Sequence, residues 1–192
     1  MDIDKAIKKQ NKVCSNFVIS MGFIFFALPI VMVILKKAYL LYLFYLGAIE
    51  ILILFSVYNA VNNIYLKYEN KGYKIKVKNG LLFGDLNIYP EKIAMVHTQN
   101  KGNDMSILLI MSSKLRNSNV KPVSEGVLLS KGVLSDYTKY KKSHTGEGYF
   151  YYVIDKGGYE KYKLLQDIYK WCVQAAFTDE SIERIKEIKN GD

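Results

Sequence analysis

FVISMGFIFFALPIVMVIL, residues 17–35, decides the architecture: nineteen residues without a charge, with Ser20 the only clearly polar one. As a helix rising about 1.5 Å per residue it spans roughly 28 Å, close to the hydrocarbon thickness of a bilayer. Pro29 sits inside the run, where a membrane helix tolerates it with a kink and a soluble helix would break. Lys36 and Lys37 follow, then a second apolar run from Ala38 to Tyr58, interrupted by Glu50. The short link predicts antiparallel neighbours, a transmembrane hairpin. Tyr39, Tyr42 and Tyr45 at the start of the second run, and Tyr58, Tyr65 and Tyr68 around and beyond its end, resemble two interfacial aromatic belts. The first run is too long for a signal-peptide core and no small-residue cleavage pattern follows it. Two adjacent runs of this length are rare inside a soluble domain of this size.

Orientation follows from positive charge near the span ends. Lys5, Lys8, Lys9 and Lys12 precede the first run, and Lys67, Lys71, Lys74, Lys76 and Lys78 follow the second, against Lys36 and Lys37 at the tip. Both termini are therefore expected on the cytoplasmic side of the cell membrane. Glu50 is the one ionisable residue within a span, and a carboxylate there is costly unless paired, protonated or turned to another helix. It is either an assembly contact or proton site, or a residue satisfied locally by Tyr45, Ser56 or a water.

The formal charge of +9 is spread out. Residues 1–16 carry four lysines against Asp2 and Asp4, residues 17–58 two lysines against Glu50, and the remainder 21 basic against 15 acidic residues. No block is large enough for a nucleic acid polymer. Anionic membrane lipids account for such an excess in a tethered domain. Cys14 and Cys172 are far apart and form no disulfide framework.

The chain divides into an N-terminal segment (1–16), the hairpin (17–58, with spans at about 17–35 and 38–58), a β domain (65–177) and a short amphipathic helix (178–192). Residues 59–68 are read as continuing the second helix and turning into the domain. Tyr73, Ile75 and Val77 alternate with Lys74, Lys76 and Lys78, a strand with one apolar and one basic face. Asn79-Gly80 is the preferred pair for a two-residue hairpin turn, with Leu81, Leu82 and Phe83 opening the returning strand and Leu86–Ile88 extending it. Residues 90–92 read as a corner, 93–98 and 105–111 as strands, and 149–154 as a strong aromatic strand. Residues 127–129 and 133–134 are short strands or parts of a long loop, and 139–148 a basic loop. Tyr162, Leu165, Tyr169, Cys172, Val173 and Ala176 then recur at helical spacing. Thr178 is placed as the cap of a last helix striped with Ile182, Ile185 and Ile188. The fold class is α+β: a membrane hairpin, then an antiparallel β-sandwich or open barrel closed by a helix.

The stretch Asn79-Gly80-Leu81-Leu82-Phe83, followed by Ile88-Tyr89-Pro90-Glu91-Lys92-Ile93, resembles the bacterial pleckstrin-homology-like membrane proteins. The resemblance covers about residues 65–177 in architecture and about 20 residues in motif. It makes 159–177 the closing helix and implies membrane-proximal binding or scaffolding rather than catalysis.

No catalytic, metal or cofactor constellation stands out. His97 and His144 lack partners at ligand spacing, and are read as a structural strand residue and a solvated loop residue. Gly157-Gly158 before a helix is phosphate-loop-like only superficially. Lys74, Lys76, Lys78, Lys139, Lys141 and Lys142 are the candidates for contact with the membrane surface or anions; the alternative is solvated charge. The expected function is a non-catalytic membrane-anchored scaffold or adaptor binding a protein partner or lipid headgroups. The alternative is a ligand-gated effector whose β domain senses a small molecule and drives the hairpins to oligomerise.

Overall fold

A computed structural model describes residues 2–35, 39–82, 84–101, 104–117, 119–144 and 148–189. The two apolar runs are helices, α1 (Ile3–Ile34) and α2 (Leu40–Ile64), packed side by side. Both are long and apolar enough to cross a membrane. Their outer faces present bare apolar side chains, Phe23, Phe26, Leu40 and Phe44 among them, so the hairpin is not a buried soluble core. Pro29 sits within α1 without ending it. Lys36, Lys37 and Phe83 lie outside the described residues.

The N-terminal segment is helical from Ile3 onward and continuous with the first apolar run in α1, with the Asp2 carboxylate accepting from the Lys5 N–H at 3.0 Å. At about 1.5 Å per residue, the part before Phe17 extends roughly 21 Å beyond the apolar run. There Ile3 and Ile7, one helical turn apart, are buried in the core of the domain.

The domain holds two sheets and no closed barrel. The first has the order β1-β2-β3, formed by β1 (Leu66–Asn70), β2 (Ile75–Asn79) and β3 (Leu86–Ile88), all antiparallel. The second has the order β6-β7-β5-β4-β8, from β4 (Ile93–Lys101), β5 (Asp104–Met111), β6 (Lys121–Pro122), β7 (Phe150–Ile154) and β8 (Ala176–Phe177). A 3-10 turn at Pro90–Lys92 makes the expected corner between the sheets. The main core lies between them: Ile75, Val77, Ile88, Ile107, Leu109 and Ile154 come from strands, and Leu164, Leu165 and Ile168 from α5 (Glu160–Trp171). Tyr68 ties β1 to α5 by donating its hydroxyl to Asp167 Oδ2 at 2.8 Å.

Several elements differ from the sequence reading, each for a physical reason. Helix α2 stops at Ile64 and the next residues pair as β1, because Leu66 and Tyr68 face the core while Lys67 and Glu69 face out. Asn79-Gly80 is not a two-residue hairpin turn. Ile75 pairs with Ile88 and Val77 with Leu86, so the connection runs over residues 80–85, and Leu81 and Leu82 lie in it, outside the returning strand. Asn79 is instead spent across sheets: its amide donates to the Val153 carbonyl at 3.1 Å and Asp155 Oδ1 at 3.3 Å, and its Oδ1 accepts from the Lys156 N–H at 3.0 Å.

Residues 125–143 are helical, as α3 (Glu125–Ser130) and α4 (Leu134–Ser143). They cover the outer face of the second sheet, where Ala94, Met95, Leu108 and Ile110 meet Leu128 and Val133. That cover explains why β5 is apolar without alternation: both of its faces are buried. The closing helix ends at Trp171, not Phe177. Beyond Cys172 the chain joins the second sheet as β8, parallel to β4, leaving Val173 exposed. The last helix, α6 (Asp179–Lys189), turns Ser181, Ile185 and Ile188 inward, with Ile182 half-buried.

Candidate functional site

The chain brings its three parts together at one turn, Lys156–Tyr159. Gly157 donates its N–H to the Asn63 carbonyl at 2.8 Å, and Lys156 Nζ donates to Asn63 Oδ1 at 2.8 Å, so the end of α2 holds the turn from one side. From the other side Gln10 of α1 accepts the Tyr159 N–H at 3.0 Å. Asp4 on α1 forms an ion pair with Lys163 on α5. Gly157 has φ +110° and Gly158 φ +49°, conformations that favour glycine. The N-terminus of α5, superficially a phosphate loop, is thus occupied by the chain's own Gln10.

A buried cation locks the same region. Lys161 has no exposed surface; its Nζ donates to Asp104 Oδ2 at 2.6 Å and to the Asp155 carbonyl at 3.2 Å. It joins α5 to the first residue of β5 and to the residue that follows β7. Nothing in the local pattern announces it, since a lysine on an amphipathic helix is ordinarily a solvated residue.

The candidate lysines do not form one patch. Lys76 and Lys78 alternate with buried Ile75 and Val77 on β2, and Lys74 directly precedes it. Lys76 pairs with Asp85 at 2.8 Å, and this partner raises the lysine pKa and lowers that of the aspartate. Lys78 and Lys67, cross-strand partners, both lie over the Tyr65 ring, at 5.7 and 5.5 Å, while Lys74 lies over Tyr73 at 5.3 Å. The groove on this face, about 460 Å³, sets Lys67, Lys76 and Lys78 against Glu69, Asp85 and Glu160. Its charges are mixed, so it is not a uniformly basic surface. Lys139, Lys141 and Lys142 are on α4, a helix where a loop was expected. There Lys139 pairs with Asp136 at 3.8 Å. The first set lies on or beside the first sheet and the second on α4, which covers the outer face of the second sheet.

Glu50 lies half-exposed in the middle of α2, with no hydrogen-bond or ion-pair partner among the described residues. Ser56, one of its suggested local partners, instead donates to the Leu52 carbonyl at 2.8 Å.

A second polar cluster surrounds His97, which is buried on β4. Its Nδ1 lies 3.1 Å from Thr178 Oγ1 and its Nε2 3.0 Å from the Lys131 carbonyl. Neutral His97 therefore carries its proton on Nε2, and Thr178 donates to Nδ1. Thr178 Oγ1 is also 3.1 Å from Ser181 Oγ, which donates to the Val96 carbonyl at 3.2 Å. The Thr178 hydroxyl thus serves this cluster, while its carbonyl accepts the Ile182 N–H at the start of α6. Burial lowers the His97 pKa, with the Glu180 carboxylate opposing it. Below the ordinary value of 6.5 the unfolded chain takes up a proton that folded His97 refuses, so stability falls as pH drops from there toward the lowered value. In thermal unfolding of the detergent-solubilised chain, the advantage of wild type over His97→Gln should narrow below that pH. Parallel curves would show that His97 carries no such linkage.

His144 is exposed and stacks on Tyr140, with ring centroids 4.2 Å apart. Cys172 is buried and its thiol is pushed up to about 12, which makes it inert. Among the described residues no group of three His, Cys, Asp or Glu side chains is placed to hold a metal.

At the far end of β1 and α5 lies an open groove of about 910 Å³ lined by Tyr73, Tyr89, Pro90, Trp171 and Val173. Val173 and Tyr73 are 87% and 67% exposed. Helix α5 starts at Gln10 and passes Lys163 beside Asp4, so it runs antiparallel to α1 and away from the hairpin. The groove is therefore at the end of the domain opposite the apolar stretches of α1 and α2. The sequence stripe hid it by assigning Tyr169 and Val173 to a buried helix face.

No family model matches the chain, and no match was found among curated proteins or solved structures.

Proposed function

We propose that the protein is a non-catalytic adaptor of the cell membrane, with two spans, both termini cytoplasmic, and a pleckstrin-homology-like domain that receives a protein partner. One observation carries this reading. The domain is gripped by α1 and α2 at one end, through Ile7, Gln10 and Asn63, and offers an aromatic groove at the other. A domain merely tethered to a membrane needs one flexible linker. Burying the first turns of α1, which run on from the apolar stretch, in its core fixes the groove's distance and direction from the bilayer, which is what a docking module requires. The orientation rests on the lysines flanking the span ends, and the fold assignment on the two-sheet core closed by α5.

The test is a photo-crosslinking residue at Val173 in intact membranes, with Leu129 on α3, 64% exposed, as the control position. The adaptor reading expects one discrete protein adduct at Val173 that is absent at Leu129. Equal yields at both positions would refute it.

A second reading, ligand-driven assembly of the hairpins, is favoured by Glu50 alone. A carboxylate in a span without a partner among the described residues is stabilised by a second copy. Glu50→Leu should then shift the detergent-solubilised protein toward monomer in light scattering. An unchanged mass would remove the support for assembly.

A further inference from the structure

The connection between β2 and β3 is apolar where a surface loop is ordinarily polar, and it is fastened to the end of the second span. Gly80 donates its N–H to the Tyr65 carbonyl at 2.9 Å, and Leu81 donates its own to Asn62 Oδ1 at 2.8 Å. On the other side of the loop, Asp85 is held by Lys76, and Asn117 Nδ2 donates to the Gly84 carbonyl at 3.3 Å. Between these fixings Leu82 is 78% exposed, more than any other large apolar side chain among the described residues of the domain except Val173.

Its depth can be placed from the helix. The apolar run ends at Tyr58, and Asn62 lies four residues further, about 6 Å along the axis. The polar headgroup layer adds roughly 5–8 Å to each side of the hydrocarbon. Asn62, and the Leu81 backbone bonded to it, therefore fall within that layer. Tyr65 sits beside them with Lys67 and Lys78 over its ring, an aromatic body with two cations able to reach phosphate.

We propose that this loop is a third contact with the bilayer, in which Leu82 enters the boundary between headgroups and acyl chains while Lys67 and Lys78 meet lipid phosphates. The proposal rests on α1 and α2 spanning the membrane. Of the candidate lysines only Lys78 takes part. Lys74 lies four residues further along the strand, about 13 Å, which is beyond a Debye length at physiological salt.

The test uses the full chain in vesicles containing brominated phospholipid, which quenches nearby tryptophan. Trp171 is the only native tryptophan, so Trp171→Phe gives a silent background. Into it go, singly, Leu82→Trp, Phe26→Trp within α1 and Leu129→Trp on α3. The expected result is loss of emission at positions 82 and 26, with position 129 unchanged. Quenching at 26 but not at 82 overturns the loop contact and leaves the spans intact. No quenching at 26 overturns the spanning reading, and the loop contact with it.

Discussion

Gly157→Ala should cost about 3 kcal/mol, the sum of backbone strain and overpacking. Its φ of +110° is one that side chains with a Cβ rarely adopt. The new methyl would also collide with Leu66, whose Cδ2 lies 2.7 Å from its place. Leu66 cannot retreat, because it is buried at the start of β1, directly after α2. The relief available is to move the turn, which would break the bond from the Gly157 N–H to Asn63 and disturb the Tyr159 bond to Gln10. The variant should therefore unfold at a temperature lower by roughly 6–12 °C in detergent. Protease should also reach the α2–β1 link faster. Gly72→Ala is the control: its φ is also positive, at +80°, but its added methyl meets nothing within 4 Å. Equal losses in the two variants would mean that the junction is not tightly packed.

Asp104→Asn should be as damaging, at about 3 kcal/mol, because it removes a carboxylate 2.6 Å from an ammonium that has no access to water. Lys161→Met should cost less, about 1–2 kcal/mol, since methionine fills the space and the half-exposed Asp104 carboxylate regains water. The double variant should be more stable than Asp104→Asn alone. Thermal unfolding of the four proteins completes the cycle, and a double variant no better than Asp104→Asn would contradict the ranking.

What the sequence makes legible is whatever has a period and a clean boundary. The hairpin is read from uncharged length, and strands β4, β5 and β7 from β-branched and aromatic runs. The corner at Pro90 follows from its fixed φ. The rest depends on partners remote in the chain. Residues 3–16 look like a charged flank because four lysines outweigh the single pair Ile3 and Ile7; that one-turn spacing was the available signal. Helices α3 and α4 were hidden by short apolar pieces among glycine, serine and lysine. The unbroken apolar run of β5 nonetheless demanded a second cover, and Leu134, Tyr137 and Tyr140 give the helical spacing for it. The end of α5 is not legible because Val173 and Ala176 continue its period by coincidence, while sheet pairing claims Ala176 for β8. Of the site, the sequence marked the lysines and Glu50 by residue type. Gln10, Asn63 and Asn79 are polar residues whose role exists only once the turn and both long apolar helices converge.

The first turns of α1 clamp the domain against the hairpin. The most direct test introduces Asp4→Cys and Lys163→Cys into a Cys14→Ser chain, with inert Cys172 left in place, and treats alkali-washed membranes with a short thiol crosslinker. The protein is expected to stay in the membrane pellet and to form a single intramolecular link in high yield, abolished by Ile7→Asp. Protein released by the wash, or links formed only between chains, would contradict it.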